Sequence, residues 1–418
     1  MEQTILEKLR INQVPQEIEI AYKNEEFPSI EEFIRKTKEG KIVVPANKKR
    51  KRNKYYAIGD GCSIKINANI GVTSDFSSFD LELKKAEICE KYNVESVMDL
   101  SCGKYAKSFR EKLVREFSFL VGSVPVYDIA VRAKNFIKTK PKDFLEVLEE
   151  HADSGVDFVT IHAGINLRLA KELEKSQRIL NIVSRGGSMI YKWMIENQSE
   201  NPYYEYFDEV LKILKKYDVT ISIGDAFRPG CIFDSGNNLQ FEEILEVSKL
   251  AKIAHDYGVQ VIIEGPGHMK ADEIPYTIKT IKKICHDFPL YVLGPLTTDI
   301  AAGYDHISGS MGALIAGLNG ADFICYVTPA EHLRLPNIED VKEGIIAFKI
   351  AAHSVNLVKG FKKSIERDYT MALARKNLDW EKIINTSIDP DKAKEYRKDL
   401  SITTCTMCGD LCAIKNSS

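Results

Sequence analysis

The sequence predicts an α/β protein built around a (β/α)8 barrel of the TIM type. From about residue 61, short apolar runs alternate with helical stretches of roughly 10 to 20 residues, as expected for parallel βα units. Polar and glycine residues cluster directly after these runs, at the strand ends that converge on one mouth of a barrel. The 418 residues suffice for one large domain with smaller appendages.

The first 60 residues predict a small N-terminal region of short helices. This region contains a basic run, Lys48–Arg52. We interpret the run as a solvated loop, because no aromatic residues alternate with its charges, as they do in segments that stack on bases.

Nine apolar runs are candidates for the eight strands of the barrel, so one of them is an extra strand or a loop. The runs are Ile64–Asn69, Ser96–Leu100, Val124–Tyr127, Phe158–His162, Ile182–Arg185, Thr220–Asp225, Val259–Glu264, Tyr291–Gly294 and Phe323–Val327. Beyond about residue 345, helix-forming sequence replaces the runs. We therefore predict an N-terminal region (1–60), a barrel (61–345) and a helical C-terminal extension (346–418).

The charge balance favours a small-molecule substrate. The chain has 58 basic and 60 acidic residues and a net charge of -2, which creates no overall field to attract nucleic acid or an anionic membrane. No stretch reaches the roughly 18 to 20 apolar residues of a membrane helix, and the first residues lack the pattern of a signal peptide. We expect a cytoplasmic protein with no nucleic-acid and no membrane partner.

Three of the nine cysteines lie close together near the C-terminus, at Cys405, Cys408 and Cys412. Three thiolates are one fewer than the four ligands of a structural zinc or of a fully ligated 4Fe-4S cluster. The trio therefore indicates a metal centre with one open position for a cofactor; the alternative is three unrelated cysteines on a frayed tail. Three other cysteines lie among apolar neighbours and are expected to be small buried residues: Cys89, Cys285 and Cys325.

Two histidines follow apolar runs in similar contexts. His268 ends the segment Glu264–His268, and His332 ends the segment Thr328–His332. Two imidazoles at the mouth of a barrel can bind a metal ion. The alternative is a pair of hydrogen-bonded structural histidines.

Two loops combine an arginine with glycine-rich backbone. They are Ser184–Ser188, which contains Arg185, and Gly224–Gly230, which contains Arg228. A guanidinium beside exposed backbone amides suits a phosphate group. Structural salt bridges within the barrel are the alternative.

Several motifs together resemble the ThiC family. The motifs are Asn67–Gly71, Val97–Ser101, Val124–Tyr127, Ile161–Gly164, Ser184–Gly187, Glu264–His268, Leu293–Ile300, Gly303–His306, Cys325–His332 and the cysteine trio. The resemblance covers about residues 40 to 415. It implies a barrel with a cluster-bearing C-terminal tail, and a radical S-adenosylmethionine (SAM) enzyme that rearranges 5-aminoimidazole ribotide.

The resemblance also implies a set of functional residues. Cys405, Cys408 and Cys412 would hold a 4Fe-4S cluster whose open iron takes SAM, and the tail would fold over a barrel mouth of its own or a partner subunit. His268 and His332 would bind one divalent metal ion, zinc or iron, and Glu264 would act in catalysis with the three cysteines. The residues implied to surround the ribotide are Asn69, Met98, Tyr127, His162, Ser184, Arg185, Gly186, Asp225, Arg228, Glu264 and Tyr291.

The implied partners follow from this chemistry. Reductive cleavage of SAM requires an external electron donor of the flavodoxin or ferredoxin type. We expect the chain to work as a homodimer or with a paralogous partner.

Some positions depart from the pattern of the thiamine branch of the family. That branch usually reads Asp-Gly-Leu-Arg, Leu-Ser-Thr-Gly, Gly-Thr-Val-Pro and Pro-Ala-Asn-Ile-Asn-His. This chain has Asp225–Arg228 (Asp-Ala-Phe-Arg), Leu100–Gly103 (Leu-Ser-Cys-Gly), Gly122–Pro125 (Gly-Ser-Val-Pro) and Pro45–Arg50 (Pro-Ala-Asn-Lys-Lys-Arg). Bulkier residues beside Asp225 are expected to move the substrate. They favour the paralogue 5-hydroxybenzimidazole synthase, which makes the lower ligand of cobamides; the alternative is the phosphomethylpyrimidine synthase of thiamine biosynthesis.

Two further readings belong to other classes of protein. One is a zinc-dependent barrel hydrolase or lyase that uses Glu264, His268 and His332, with the cysteines as a separate structural knuckle. The other is a non-catalytic subunit that binds the ribotide beside an active paralogue.

Overall fold

Eight parallel strands close into a barrel and confirm the predicted fold class. The computed structural model describes residues 3–73, 78–398 and 404–417. The strands are β1 (Ile42–Val43), β2 (Ile58–Gly59), β3 (Lys65–Ile70), β4 (Ser96–Asp99), β5 (Leu120–Ser123), β6 (Phe158–Ile161), β7 (Thr220–Ile223), β8 (Val261–Glu264), β9 (Leu290–Leu293) and β10 (Phe323–Cys325). Strands β3 to β10 form the barrel in chain order, and β10 closes it by pairing with both β9 and β3.

Helices connect the strands of the barrel and continue beyond it. They are α1 (Ile5–Arg10), α2 (Gln16–Asn24), α3 (Ile30–Lys38), α4 (Phe79–Lys91), α5 (Ala106–Glu116), α6 (Pro125–Arg132), α7 (Pro141–Asp153), α8 (Leu167–Leu173), α9 (Arg185–Asn197), α10 (Pro202–Glu205), α11 (Phe207–Tyr217), α12 (Asn238–Tyr257), α13 (Ile274–Ile284), α14 (Asp305–Leu318), α15 (Ile338–Val358), α16 (Lys362–Lys376), α17 (Trp380–Thr386), α18 (Pro390–Tyr396) and α19 (Ala413–Asn416). Short 3₁₀ turns cover Phe136–Lys138, Ile232–Asp234 and Gly409–Leu411. Among the described residues, no helix is both long and apolar enough to cross a lipid bilayer.

Two of the nine predicted strands are wrong. Val124–Tyr127 is not a strand, because β5 ends at Ser123 and Pro125 opens helix α6. Proline is suited to the first helical turn, where its missing N–H has no partner to lose. Ile182–Arg185 is the extra run, because the side chain of Ser184 accepts from the amide of Gly187 and caps helix α9.

Aromatic side chains fill the barrel interior below its mouth. The ring of Phe323 stacks on Tyr291 at 4.3 Å and meets Phe158 edge-on at 6.0 Å between centroids. A Cβ on Gly122 would lie 2.3 Å from the Phe158 ring, so this strand position has room only for glycine. The packed layer gives the site above it a solid floor.

The N-terminal region has its own apolar core, in which helices α1 to α3 pack beside the antiparallel pair of β1 and β2. The amide of Ile5 donates to Asp218, after α11, at 2.8 Å. The solvated-loop interpretation of the basic run is wrong for its two arginines. Arg50 forms an ion pair with buried Asp157, and Arg52 forms another with the same carboxylate at 3.0 Å.

The chain divides into two compact units, residues 1–352 and 353–418. The first unit contains the N-terminal region and the barrel. In the second unit, α16 packs against α17 and α17 against α18. The guanidinium of Arg397 lies 4.0 Å from the Trp380 ring centroid and donates to the carbonyl of Thr404 at 3.1 Å, just before the cysteine trio. The predicted boundaries at residues 60 and 345 stay predictions.

Candidate active site

The carboxyl ends of the barrel strands surround an open cavity of about 560 Å³. Its walls consist of Asn69, Met98, Leu100, Val124, Tyr127, Thr160, His162, Ser184, Asp225, Arg228, Glu264, Gly265, Tyr291, Val292, Leu293 and Cys325.

The structure brings nine of the eleven predicted ribotide residues to this one cavity. They are Asn69, Met98, Tyr127, His162, Ser184, Asp225, Arg228, Glu264 and Tyr291. The other two, Arg185 and Gly186, lie directly beside the wall. The guanidinium of Arg185 is 5.0 Å from the Tyr127 ring centroid, and Gly186 packs against the ring of His162. Their roles in binding stay predictions.

Two carboxyls and one guanidinium form the charged part of the cavity. Nη1 of Arg228 lies 3.3 Å from Oδ1 of Asp225. Burial raises the pKa of Asp225 well above its usual value, against the effect of Arg228, and the nearby charge of Glu264 raises it further. Burial opposes the charge of Arg228, but Asp225 and Glu264 raise the pKa of this guanidinium overall. The carboxyls can therefore hold a proton beside a permanent positive charge.

Glu264 is fixed by hydroxyls from two other strands. Its Oε1 accepts from Thr160 Oγ1 at 2.8 Å and from Ser222 Oγ at 3.3 Å. Burial raises the pKa of Glu264, whereas Arg228 and these two hydroxyls lower it. A backbone hydrogen bond from Asp225 also lowers the pKa of Glu264.

His162 is a buried, neutral imidazole. Burial, with a further contribution from Arg228, lowers the pKa of His162 to about 3. Its Nε2 lies 2.7 Å from Oγ of Ser184, and its Nδ1 has no partner among the described residues. A Cβ on Gly186 or on Gly224 would lie 2.5 Å or 2.9 Å from the ring, so two glycines pack directly against the imidazole. The free ring nitrogen can bond a neutral polar group of a ligand.

A cysteine in the cavity wall was not predicted as a site residue. Cys325 is buried, as expected, but Nδ2 of Asn69 donates to its Sγ at 3.1 Å. Burial raises the pKa of Cys325 to about 11, although hydrogen bonds with Tyr291, Asn67 and Asn69 lower it. The thiol is therefore neutral and belongs to the polar wall.

His268 and His332 lie next to each other but do not line the cavity. Their ring centroids are 5.1 Å apart. Nδ1 of His268 is 2.7 Å from Asp299, and Nδ1 of His332 is 3.2 Å from Asp305. Carboxylates on Nδ1 leave Nε2 as the atom that each ring can offer to a metal, which is the usual arrangement around ligating histidines.

The cysteine trio occupies two consecutive turns of the second unit. The amide of Gly409 donates to the carbonyl of Cys405 at 3.0 Å, and Gly409 adopts a positive φ of 50°. Backbone amides of Cys408 and Met407 lower the pKa of Cys405, and the charge of Cys405 raises the pKa of Cys408, as adjacent thiols do. Three neighbouring thiols fit a 4Fe-4S cluster in their donor chemistry.

In residues 3–73, 78–398 and 404–417, no three His, Cys, Asp or Glu side chains converge closely enough to hold a metal ion. The two histidines supply only a pair of ring ligands. The three thiols are close in sequence, but a cluster requires them to turn toward a common centre.

The positions that depart from the thiamine pattern lie outside the cavity wall. Ala226 and Phe227 are fully buried, and Ala226 faces Gly187 rather than the cavity. Ser123 bonds to Nδ1 of His151 at 2.9 Å in the interior. Cys102 is not part of the wall. The expectation that Ala226 and Phe227 add bulk to the wall is therefore wrong, because neither residue is part of it.

Sequence reasoning also missed the hydroxyls of Thr160 and Ser222. Thr160 lies inside β6 and Ser222 lies inside β7, and each is flanked along its strand by apolar residues. A buried hydroxyl at such a position is a weak signal by itself. Only the closure of the barrel shows that both point at Glu264.

The chain is similar over nearly its whole length to known proteins. Residues 4–418 match the Radical SAM ThiC family. A phosphomethylpyrimidine synthase of Clostridium kluyveri (strain NBRC 12016) is 51% identical over 382 residues, 90% of this chain and 87% of the relative. A phosphomethylpyrimidine synthase of Clostridium botulinum (strain Loch Maree / Type A3) is 48% identical over 407 residues, 96% and 93% of the two chains. Among solved structures, Xanthomonas albilineans dihydropteroate synthase covers 76% of this chain and 99% of its own, with 10% identity and a TM-score of 0.45.

Proposed function

Because the chain belongs to the radical SAM ThiC family, we propose that it converts 5-aminoimidazole ribotide into the phosphorylated hydroxymethylpyrimidine used to make thiamine. Relatives that are 48 to 51% identical carry the name phosphomethylpyrimidine synthase. One structural observation removes an argument for the other product. Ala226 and Phe227, which favoured 5-hydroxybenzimidazole in the sequence, are buried behind the cavity wall.

The polar groups of the cavity suit a ribotide. Arg228 gives a permanent positive charge, and helix α9 begins at Arg185, beside Ser184 in the wall. Amides of a first helical turn lack intrahelical partners and favour anions, so this corner suits the phosphate. Asp225 and Glu264 offer carboxyl oxygens to the hydroxyl and amino groups of the substrate.

The protein environment also limits side reactions. His162 stays neutral, so it can orient a polar group on the imidazole ring of the substrate without adding a charge next to Arg228. Aromatic side chains close the floor of the cavity to water. Exclusion of water protects reactive intermediates from quenching.

We propose that Cys405, Cys408 and Cys412 hold the 4Fe-4S cluster and that its open position takes SAM. When bound, the cluster supplies the electron that cleaves the sulfonium of SAM to methionine and the 5'-deoxyadenosyl radical. The electron comes from a flavodoxin- or ferredoxin-type donor. The barrel residues bind and orient the ribotide, and they hold protons on Asp225 and Glu264.

We further propose that Nε2 of His268 and of His332 bind one divalent metal ion, zinc or iron. The carboxylates of Asp299 and Asp305 support this proposal, because each fixes the orientation of one ring. Two histidines leave several positions for water or substrate.

The product of a single turnover tests the main proposal. The chain is purified without oxygen, loaded with iron and sulfide, and mixed with dithionite, SAM and 5-aminoimidazole ribotide. We expect mass spectrometry to find the phosphorylated pyrimidine and 5'-deoxyadenosine. A benzimidazole would reassign the product to the cobamide branch. A cluster-loaded sample without 5'-deoxyadenosine would indicate a non-catalytic partner subunit, and a colourless zinc-loaded tail would favour the hydrolase or lyase reading.

A further inference from the structure

In the loop Asp225–Arg228, only the first and the last residue line the cavity. Asp225 and Arg228 are wall residues, whereas Ala226 and Phe227 between them are buried. We propose that Glu243 and Arg178, which lie outside the wall, are positioning residues that hold the backbone of this loop and thereby fix both charged groups. Neither residue would touch the substrate.

Glu243 binds the amides of the loop. Its Oε1 accepts from the amide of Ala226 at 2.8 Å, and its Oε2 accepts from the amide of Phe227 at 2.7 Å. The side chain comes from α12 and is 1% exposed, so no water competes for these amides. A Cβ on Gly164 would lie 3.2 Å from Cγ of Glu243, so the packing leaves the carboxylate little freedom.

Arg178 binds the carbonyls of the same loop. Its Nη1 donates to Phe227 at 2.9 Å and its Nη2 to Arg228 at 3.0 Å. Its guanidinium also lies 5.8 Å from the Phe227 ring centroid. The carboxylate of Asp234 accepts from the amide of Ile179 at 2.7 Å, so the segment that carries Arg178 is itself fixed.

The two side chains thus satisfy four backbone groups of three consecutive residues, in a loop that forms neither strand nor helix there. Burial raises the pKa of Glu243 to about 7, but its two oxygens accept from the amides by geometry. Because Arg178 donates to the carbonyls, neither residue can be exchanged for an apolar one without leaving buried polar groups unpaired. A displacement near 1 Å at a positioned group lowers activity about 100-fold. The inference rests on the ribotide site proposed above.

The test compares two substitutions with two matched controls. Glu243→Gln can accept only one of the two amides and turns an N–H group toward the other. Arg178→Lys keeps the charge but loses the planar fork that reaches two carbonyls. The controls are Glu242→Gln on α12 and Arg168→Lys on α8, at two residues that form an exposed ion pair of 2.5 Å with each other.

Two readouts separate positioning from general stability. Hydrogen exchange by mass spectrometry follows the amides of Ala226 and Phe227, and calorimetry measures the binding of 5-aminoimidazole ribotide to the full chain without cluster or SAM. We expect both amides to exchange at least about 10-fold faster in Glu243→Gln. We expect ribotide to bind about 10-fold or more weakly in both variants, with unchanged affinity in both controls.

Each outcome decides the proposal. Wild-type affinity and exchange in a folded Glu243→Gln or Arg178→Lys protein would overturn it. If neither variant folds, the wild-type chain decides, because amides of residues 226 and 227 that exchange at the rate of an unstructured peptide would also overturn it. A wild-type chain that does not bind the ribotide would instead refute the proposed function, while the exchange result would still test the loop.

Discussion

The hydroxyl of Thr160 donates a hydrogen bond to Oε1 of Glu264 at 2.8 Å across the interior of the barrel. The two residues are 104 positions apart and lie on β6 and β8, with β7 between them. The bond exists because both strands turn these positions inward at the same height. It fixes the carboxylate and lowers its pKa against the effect of burial.

Replacing Thr160 by valine tests this relationship. Loss of the hydroxyl removes a bond to the carboxylate form, so the pKa of Glu264 rises further and the acid limb of ribotide binding moves to higher pH. We expect affinity at pH 7 to fall about 3- to 10-fold, measured by calorimetry. Thr220→Val is the control, because Oγ1 of Thr220 is buried and has no partner among the described residues. An unshifted pH profile in Thr160→Val would contradict the prediction.

Gly186→Ala tests the packing around His162. In most helices alanine is more stable than glycine by about 0.5 to 1 kcal/mol. Here the new Cβ would lie 2.5 Å from Cε1 of His162, so the ring or the start of α9 must move. We expect ribotide affinity to fall at least about 10-fold. Lys192→Ala, on an exposed position of the same helix, should bind like the wild type; equal binding by Gly186→Ala would show that the ring tolerates the methyl group.

Cys408→Ala tests the cluster ligands. After anaerobic reconstitution, the wild type should contain about four cluster iron atoms per chain, besides any iron at the histidine pair. The variant should lose these four iron atoms and the visible absorption of the cluster. Cys285→Ala, which changes a buried cysteine of the barrel unit, should keep the full iron content. Normal iron and turnover in Cys408→Ala would refute the assignment of the trio.

Asp299→Asn tests the proposed metal site independently of turnover. Its carboxylate bonds Nδ1 of His268 at 2.7 Å and fixes the ring. We expect the affinity for zinc or ferrous iron to fall about 10- to 100-fold, measured by calorimetry on protein without cluster. Asp272→Asn is an exposed control nearby in the sequence. If Asp299→Asn binds metal as tightly as the wild type, this carboxylate does not support a ligand.

Asp218→Asn tests a pH effect on stability. Burial raises the pKa of Asp218 to about 7, above the usual value of 3.8. The folded state therefore binds more protons than the unfolded state between these values, and this contribution to stability is lost as pH rises toward 7. Asparagine does not ionise, and its side-chain oxygen can still accept from Ile5. We expect the variant to become more stable relative to the wild type by about 2 kcal/mol between pH 5 and pH 8.

Urea unfolding across this pH range measures that difference. Other titrating groups cancel when the variant is compared with the wild type. Asp208→Asn, an exposed position on α11, should show no such trend. A stability difference that does not change with pH would show that Asp218 titrates normally.

The barrel could be predicted because alternation of apolar runs and helices is a property of the local sequence. The two incorrect strand predictions also have local causes. Val124–Tyr127 contains Pro125, which opens a helix, and Ile182–Arg185 contains Ser184, which caps one. Apolar residues that precede a helix cap look like a short strand when only composition is considered.

Site residues could be predicted where they belong to sequence motifs. They could not be predicted where they support the cavity from outside its wall. The motif residues that meet at the cavity follow strand ends, where the barrel geometry brings them together. Glu243 and Arg178 lie on a helix and in a loop, without a motif to mark them. The buried pairing of Arg50 and Arg52 with Asp157 spans more than 100 positions, so no local pattern distinguishes these arginines from solvated ones.

The burial of Ala226 and Phe227 has a practical consequence for enzyme redesign. Exchanging these two residues for the glycine and leucine of the thiamine pattern would repack the space against Gly187 and would act on the wall only through the backbone between Asp225 and Arg228. Libraries intended to divert the outcome of the reaction should instead vary Leu100, Val124 and Leu293, the apolar side chains that the bound molecule would meet directly.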